Sequence, residues 1–285
     1  MKSGFVSIIG KPNAGKSSLI NRLLNDNLTI VSPIPQTTRN IINCILTDKE
    51  KGFQIIFKDT PGIIKNTKHF LDEKLIKYIE DALKDIDIIV LLITPEESLF
   101  EYSNILNNLH KDKVVVAVNK SDIKMKEFSE EEKSLGFYTI HISALTGFNT
   151  DKLLEKIVSL LPDNIQYYPE DIVSDRTIRF FVSEYIREAI IKNLKEEIPH
   201  QVFIDVEEME EREDMTIIKA IIYSEKDSQK KIIIGKSGAM IKKIGIEARK
   251  RIEDFINKKV YLELFVKVKE DWRKDKVFLN KLDYY

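Results

Sequence analysis

The fold is decided by the stretch Gly10-Lys11-Pro12-Asn13-Ala14-Gly15-Lys16-Ser17, which lies between an apolar run at 5–9 and an apolar-periodic segment at 18–24. The spacing G-x-x-x-x-G-K-S between a strand and a helix predicts a loop whose backbone N–H groups surround nucleotide phosphates. Glycine allows this approach because it has no Cβ to collide with phosphate oxygens, and the helix N-terminus favours the same anion. We expect Lys16 to contact the outer phosphates and the Ser17 hydroxyl to bind a bridging Mg²⁺. The predicted phosphate site comprises Gly10, Asn13, Ala14, Gly15, Lys16, Ser17 and Ser18.

The composition is that of a soluble globular protein with room for two domains. The chain has 285 residues, of which 43% are hydrophobic and 32% are charged, and its formal net charge is -1. This balance provides enough apolar surface to offset the entropy of ordering, and the length favours more than one core. The single cysteine, Cys44, excludes an internal disulfide, and the four histidines lack the paired spacing of a zinc site. We therefore expect a cytosolic protein without a signal peptide or a membrane span.

Two further stretches are expected to complete the magnesium and phosphate site. The segment 27–40 is rich in prolines and hydroxyl side chains, which favours an extended loop. Thr38, or alternatively Thr37, would bind Mg²⁺ only when a third phosphate is present, which makes this loop a candidate switch. The sequence Asp59-Thr60-Pro61-Gly62 ends the next strand. There Asp59 would hold Mg²⁺ through water and the Gly62 N–H would meet the terminal phosphate.

The nucleotide base is expected at two later loops. Asn119-Lys120-Ser121-Asp122 follows an apolar strand at 114–118. The Asp122 carboxylate can accept two hydrogen bonds from the N1–H and 2-amine of guanine, a pair of donors that adenine lacks, while the Lys120 stem packs along the base. The backbone amides of Ser143-Ala144-Leu145 can reach the guanine oxygen. These patterns favour a GTP-binding protein over an ATP-driven enzyme, and the predicted base site comprises Asn119, Lys120, Asp122, Ser143, Ala144 and Leu145.

The order of strands and helices predicts an α/β domain with a mostly parallel sheet and helices on both faces. Every proposed ligand then lies at the carboxyl end of a strand. The set G-x-x-x-x-G-K-S, D-T-P-G, N-K-S-D and S-A-L resembles the translation-factor class of P-loop GTPase domains. We expect this domain over 1–165, a linker over 166–176 and a second domain over 177–285.

The second domain has the predicted order helix, two strands, helix, helix, strand, with Gly235-Lys236-Ser237-Gly238 between the two adjacent helices. This arrangement resembles the type II KH fold, a smaller α+β fold that binds single-stranded RNA. In that fold a G-x-x-G turn approaches the RNA backbone, basic residues meet phosphates and an apolar groove receives bases. The alternative is a structural or protein-docking role. The predicted RNA site comprises Lys231, Ile234, Gly235, Lys236, Ser237, Gly238, Ile241, Lys242 and Arg249.

Taken together, the chain resembles the Era family of bacterial GTPases over nearly its whole length. The matching stretches are 10–17, 35–39, 59–62, 119–122, 245–250 and 262–268. The resemblance implies a monomeric GTP/GDP switch that binds the 3′ end of 16S ribosomal RNA and assists assembly of the small (30S) ribosomal subunit. It also implies a cytoplasmic location with peripheral contact to the inner face of the cell membrane. The alternative function is a membrane-associated GTPase that regulates cell growth or the cell cycle through protein partners.

The residues expected to act in hydrolysis are Lys16, Asn13, Thr38 and Gly62. Ile63 stands where Ras-like enzymes carry the glutamine that orients the attacking water, so we expect slow intrinsic hydrolysis. Asn13 matches the asparagine that helps relatives of this type hold K⁺ against the phosphates, which would stabilise developing charge. Our hypothesis is that GTP and Mg²⁺ order 32–39 and 60–70 and thereby change access to the RNA groove.

Overall fold

The computed structural model describes residues 1–25, 28–29, 42–59, 86–107, 109–194 and 198–272. Its chain divides into two compact units, Met1–Asp175 and Arg176–Tyr285. The predicted switch segments around Thr38 and Gly62 lie outside the described residues. So does 71–83, where apolar residues at helical spacing predict a helix.

The first unit is built on a six-stranded sheet in the order β2-β3-β1-β4-β5-β6. Only β2 runs antiparallel, alongside β3, and the other neighbours are parallel. The strands β4 and β5 are apolar along their whole length and completely buried, as expected for a sheet covered on both faces. The six strands are β1 Lys2–Ile9, β2 Ile42–Asp48, β3 Phe53–Asp59, β4 Ile88–Ile93, β5 Val114–Val118 and β6 Tyr138–His141.

Four α-helices accompany this sheet in the described residues. They are α1 Lys16–Leu24, α2 Ser103–Leu106, α3 Glu130–Ser134 and α4 Thr150–Leu160. The sequence over 99–110 predicts one continuous helix, and this prediction is wrong, because the chain forms a 3-10 turn at Leu99–Tyr102 before the single turn of α2. Ser and Asn at the start of α2 are weak helix formers, which agrees with its short length.

The connector predicted at 166–176 packs onto the first unit. Gln54 of β3 is fully buried, and its Oε1 accepts hydrogen bonds from the N–H groups of Tyr167 and Tyr168 at 2.8 and 3.0 Å. Further along, the Ile45 N–H of β2 donates to the carbonyl of Val173 at 2.9 Å. These bonds satisfy buried polar groups and attach the connector to β2 and β3.

The second unit has a three-stranded sheet in the order β7-β8-β9, with β7 antiparallel and β9 parallel to β8. Its core includes the rings of Phe181, Tyr185 and Phe255, whose centroids lie 5.2 to 6.4 Å apart. No helix in the described ranges has both the length and the hydropathy needed to cross a bilayer. The elements are α5 Ile178–Asn193, β7 Phe203–Glu211, β8 Met215–Ser224, α6 Asp227–Ile234, α7 Ala239–Ile256 and β9 Lys259–Val268.

Candidate functional site

The phosphate loop connects β1 to α1 and depends on two close backbone approaches. A Cβ at Gly10 would lie 2.2 Å from the carbonyl oxygen of Leu92 in β4. Gly15 has φ 99°, and a Cβ there would lie 2.3 Å from the side-chain nitrogen of Asn119. Both positions therefore require glycine, which explains why the motif folds as this loop and no other residue would fit.

Lys16 is held by the loop itself. Its side chain begins α1 and is buried, and Nζ donates hydrogen bonds to the carbonyls of Gly10 at 3.0 Å and Lys11 at 2.9 Å. The ammonium therefore lies against the loop that is predicted to hold phosphates. Asn13, at the turn of the loop, has φ 63°, a conformation that asparagine tolerates better than most residues.

The end of β3 lies beside the start of the phosphate loop. In the parallel pairing of β1 with β3, Ile8 is the partner of Asp59. This register brings the strand that ends in Asp59 to the same edge of the sheet as Gly10, and Ser17 lies in the first turn of α1. The hydroxyl of Ser17 and the position of Asp59 thus fit the oxygen ligands that Mg²⁺ prefers.

Asn119 joins the phosphate loop to the predicted base loop. Its side chain is 4% exposed, its Nδ2 donates to the carbonyl of Ala14 at 2.7 Å, and its Oδ1 accepts from the Ala144 N–H at 2.9 Å. One buried side chain therefore sets the spacing between the two loops that are expected to hold the two ends of a nucleotide.

The remaining base-site residues follow the carboxyl ends of β5 and β6. Lys120 has φ 61°, and the Asp122 side chain is exposed and can reach a ligand. Ser143 is buried, and its Oγ accepts a hydrogen bond from the Thr146 N–H at 3.1 Å, which closes the loop that carries Ala144 and Leu145. The structure thus brings the predicted phosphate and base residues together at one edge of the sheet.

In the second unit, the G-x-x-G turn joins α6 to α7 and has a strained backbone. Gly235, Ser237 and Gly238 have φ of 73°, 51° and 78°. A Cβ at Gly235 would lie 2.6 Å from that of Met240, whereas a Cβ at Gly238 would meet nothing within 4 Å. Gly235 is therefore needed for packing, while Gly238 leaves open space at the turn.

An open groove of about 330 Å³ lies between α7 and β9. Its apolar surface and its two cationic side chains suit bases and phosphates respectively. The groove is lined by Ile241, Lys242, Gly245, Ile246, Arg249, Tyr261, Leu262 and Leu264. Of the predicted RNA residues, Ile241, Lys242 and Arg249 thus line it directly, and the exposed Lys231 and Lys236 lie at or beside the turn.

Comparison with known proteins identifies the family. The model of the 50S ribosome-binding GTPase family matches residues 5–120, and that of the KH domain family matches residues 197–273. A relative named GTPase Era from Halothermothrix orenii is 45% identical over 292 residues, which cover 99% of this chain and 98% of that protein. GTPase Era from Thermotoga maritima is 45% identical over 294 residues, with 99% and 97% covered. The chain belongs to the Era family of GTPases.

Solved Era structures are similar over the whole chain. Era in complex with MgGDPNP and nucleotides 1506–1542 of 16S ribosomal RNA has a TM-score of 0.86 at 33% identity, with 100% of this chain and 99% of that chain covered. A point variant of Era from Aquifex aeolicus bound to GDP and AlF4⁻ has a TM-score of 0.85 at 32% identity, with the same coverage. The predicted α/β GTPase domain followed by a KH domain is therefore confirmed.

Several predicted site residues lie in the described part of the chain and others do not. Thr38 and Gly62 lie outside the described residues, as does the side chain of Asp59, so their roles stay predictions. The groove residues contributed by β9, Tyr261, Leu262 and Leu264, were not predicted as RNA ligands. The signal that could have found them is the parallel pairing of a KH sheet, which places its last strand beside the helix after the G-x-x-G turn.

Proposed function

We propose that this protein is a GTP-operated switch that binds the 3′ end of 16S ribosomal RNA and assists assembly of the small ribosomal subunit. As a member of the Era family, the chain is a GTP-hydrolysing enzyme. One observation carries the proposal. The same chain has a phosphate loop joined by Asn119 to the loop predicted to bind guanine, and it has an open groove with cationic side chains beside a G-x-x-G turn. Era bound to MgGDPNP and 16S rRNA nucleotides has the same fold over the full chain.

The phosphate loop would act by positioning and by charge. Its N–H groups and Lys16 would neutralise the phosphates, and Asp122 would select guanine through two accepted hydrogen bonds. Bound Mg²⁺, held through Ser17 with Thr38 and Asp59, would supply charge stabilisation at the bridging phosphate oxygens. Because Ile63 cannot orient water, we expect turnover to be slow.

We further propose that Asn13 helps to hold K⁺ against the phosphates. The support is its position at the turn of the phosphate loop, where Asn13 has a φ of 63°. Turnover should therefore be faster in potassium than in sodium salts of equal ionic strength. An Asn13→Ala variant should lose that difference while still binding GDP, and equal wild-type rates in the two salts would remove this proposal.

The RNA groove would read a single strand by its bases and hold it by its phosphates. Tyr261 and the aliphatic residues of β9 offer apolar surface, and Lys242 and Arg249 offer charge. Coupling between the sites requires that RNA affinity differ between nucleotide states. RNA affinities that are indistinguishable with GDP and with a GTP analogue would contradict the switch.

We propose a cytoplasmic location with peripheral contact to the inner face of the membrane, supported by the family resemblance alone. Fractionation of cells with and without nuclease treatment tests this together with the choice of partner. Release from ribosomal particles on RNA digestion supports the RNA function. Retention on membranes through protein contacts would favour a regulator that acts through protein partners.

The decisive experiment is crosslinking in cells followed by sequencing of the attached RNA. We expect reads at the 3′ end of 16S rRNA for the wild type, fewer for Lys242→Ala, and unchanged reads for Lys219→Ala. Lys219 is a suitable control because it lies on β8, pairs with Glu208 at 2.6 Å and does not line the groove. Reads scattered over unrelated RNAs, or equal loss in both variants, would overturn the proposal.

A further inference from the structure

Arg22 contacts the base loop from the helix that follows the phosphate loop. Its Nε donates a hydrogen bond to the Ala144 carbonyl at 3.2 Å, and Nη2 donates to the carbonyl of Leu145. The guanidinium also lies beside Gly147, where an added Cβ would approach Nη1 at 3.8 Å. Gly147 has φ 86°, so the loop turns tightly at the place where Arg22 packs.

These contacts fix the orientation of one peptide group. The Ala144 carbonyl and the Leu145 N–H belong to the same planar trans peptide, so they point in opposite directions. When Arg22 holds the carbonyl, the Leu145 N–H faces away from α1. The preceding N–H, of Ala144, is already held by Asn119 at 2.9 Å. No group in the described ranges accepts a hydrogen bond from the Leu145 N–H.

We infer that Arg22 is a positioning residue for base selection, which holds the Leu145 N–H as a donor to the 6-oxo group of a purine. The inference rests on the proposed binding of guanine nucleotides. To the contact already expected between the 143–145 amides and the guanine oxygen, it adds the side chain that orients one of those amides. A 6-oxo group accepts such a bond, whereas the 6-amino group of adenine presents a second donor to it. Arg22 itself touches no nucleotide in this account and acts only through the peptide that it orients.

Asp122 and Arg22 should therefore control different atoms of the base. Asp122 reads N1–H and the 2-amine, so its effect appears when the 2-amine is removed, as in inosine diphosphate. The effect of Arg22 on affinity should shrink when the 6-oxygen is replaced by sulfur, as in 6-thio-GDP, because sulfur is a weak acceptor. The two readouts separate a role in base selection from a general loss of stability.

The test uses the full chain and measures the Kd of GDP, inosine diphosphate and 6-thio-GDP by competition. Arg22→Met should raise the Kd values of GDP and inosine diphosphate equally, by about three- to tenfold, which corresponds to the loss of one hydrogen bond. It should raise the Kd of 6-thio-GDP by a smaller factor. Arg22→Lys should fall between wild type and Arg22→Met, because an ammonium can still donate to a carbonyl. Lys152→Met, which removes an exposed cation from α4, should leave all three Kd values unchanged.

The outcomes distinguish the inference from the function beneath it. Equal weakening of all three nucleotides, or no change in any, overturns the role of Arg22 while wild-type selection of guanine stands. If the wild type binds ADP as well as GDP, the proposed function fails first. Thermal unfolding of each nucleotide-free variant is the control. A melting temperature close to that of the wild type shows that the change in binding does not come from unfolding.

Discussion

Replacing Asn119 by alanine should lower both the unfolding free energy of the protein and its affinity for GDP. The change removes two buried hydrogen bonds, of 2.7 Å to the Ala14 carbonyl and 2.9 Å from the Ala144 N–H. Each buried group left without a partner costs about 1–3 kcal/mol, so the two together cost about 2–6 kcal/mol. Water can reach part of a loop, which places our expectation at about 2–3 kcal/mol of unfolding free energy. Because both loops are predicted to contact the nucleotide, GDP affinity should also fall by about tenfold to a hundredfold.

The assay is urea denaturation of the nucleotide-free protein together with GDP titration. Asn119→Asp keeps the acceptor for Ala144 but turns a carboxylate oxygen toward the Ala14 carbonyl, so it should be at least as harmful as alanine. Asn107→Ala, at an exposed position, should change stability by no more than about 0.5 kcal/mol. If Asn119→Ala is as stable as this control and binds GDP normally, the reasoning about the bridge is refuted.

Three further predictions test separate parts of the molecule. Gly238→Asp should abolish RNA binding in a gel-shift assay and should cost about 1 kcal/mol of stability, because residue 238 has a left-handed backbone with φ 78°. Gly235→Asp should lower the melting temperature further, because its Cβ would in addition meet Met240 at 2.6 Å. Equal melting temperatures of the two variants would contradict this. Gln54→Leu should cost about 1–3 kcal/mol in urea denaturation, because it leaves two partly buried N–H groups of the connector without their acceptor, and a neutral result would mean that the connector is not anchored there. Burial raises the pKa of Glu132, but hydrogen bonds from backbone N–H groups and the charge of Lys126 outweigh it and hold the pKa below its ordinary value. The stability from Glu132 should therefore be present above about pH 4.5 and be lost as the pH falls through the folded pKa. Glu132→Gln should flatten this acid dependence in thermal melts, and an unchanged slope would contradict it.

The nucleotide site could be predicted from the sequence because its parts are short motifs with fixed spacing. Gly10 and Gly15 indicate positions where the backbone approaches other atoms closely. Each motif follows an apolar strand whose carboxyl end lies at one edge of the sheet. The G-x-x-G turn could be found in the same way, since the helices on both sides are recognisable. In such cases the local sequence carries the geometry.

Contacts between distant parts of the chain could not be predicted in this way. Arg22 binds Ala144, 122 positions later in the chain, and Leu145, 123 positions later, and no spacing in the sequence relates these residues. Gln54 likewise finds the connector more than 100 positions later. Both contacts arise from packing of whole elements, which periodicity does not report.

The small helix α3 was missed although a local signal was present. Ser129 and Glu132 form a capping box, in which each side chain accepts a hydrogen bond from the backbone N–H of the other. The pattern S-x-x-E marks such a helix start. Because only about one turn of helix follows, apolar periodicity does not reveal α3, and the capping box is the local sequence signal that indicates it.

The central claim, that a single carboxylate selects guanine, is tested most directly by exchanging Asp122 for asparagine and measuring the affinities for GDP and for xanthosine diphosphate. Xanthine carries an oxygen where guanine carries the 2-amine, and the asparagine amide can donate to that oxygen where aspartate cannot. We expect the wild type to prefer GDP and Asp122→Asn to prefer xanthosine diphosphate. A variant that keeps the wild-type order of affinities would contradict it.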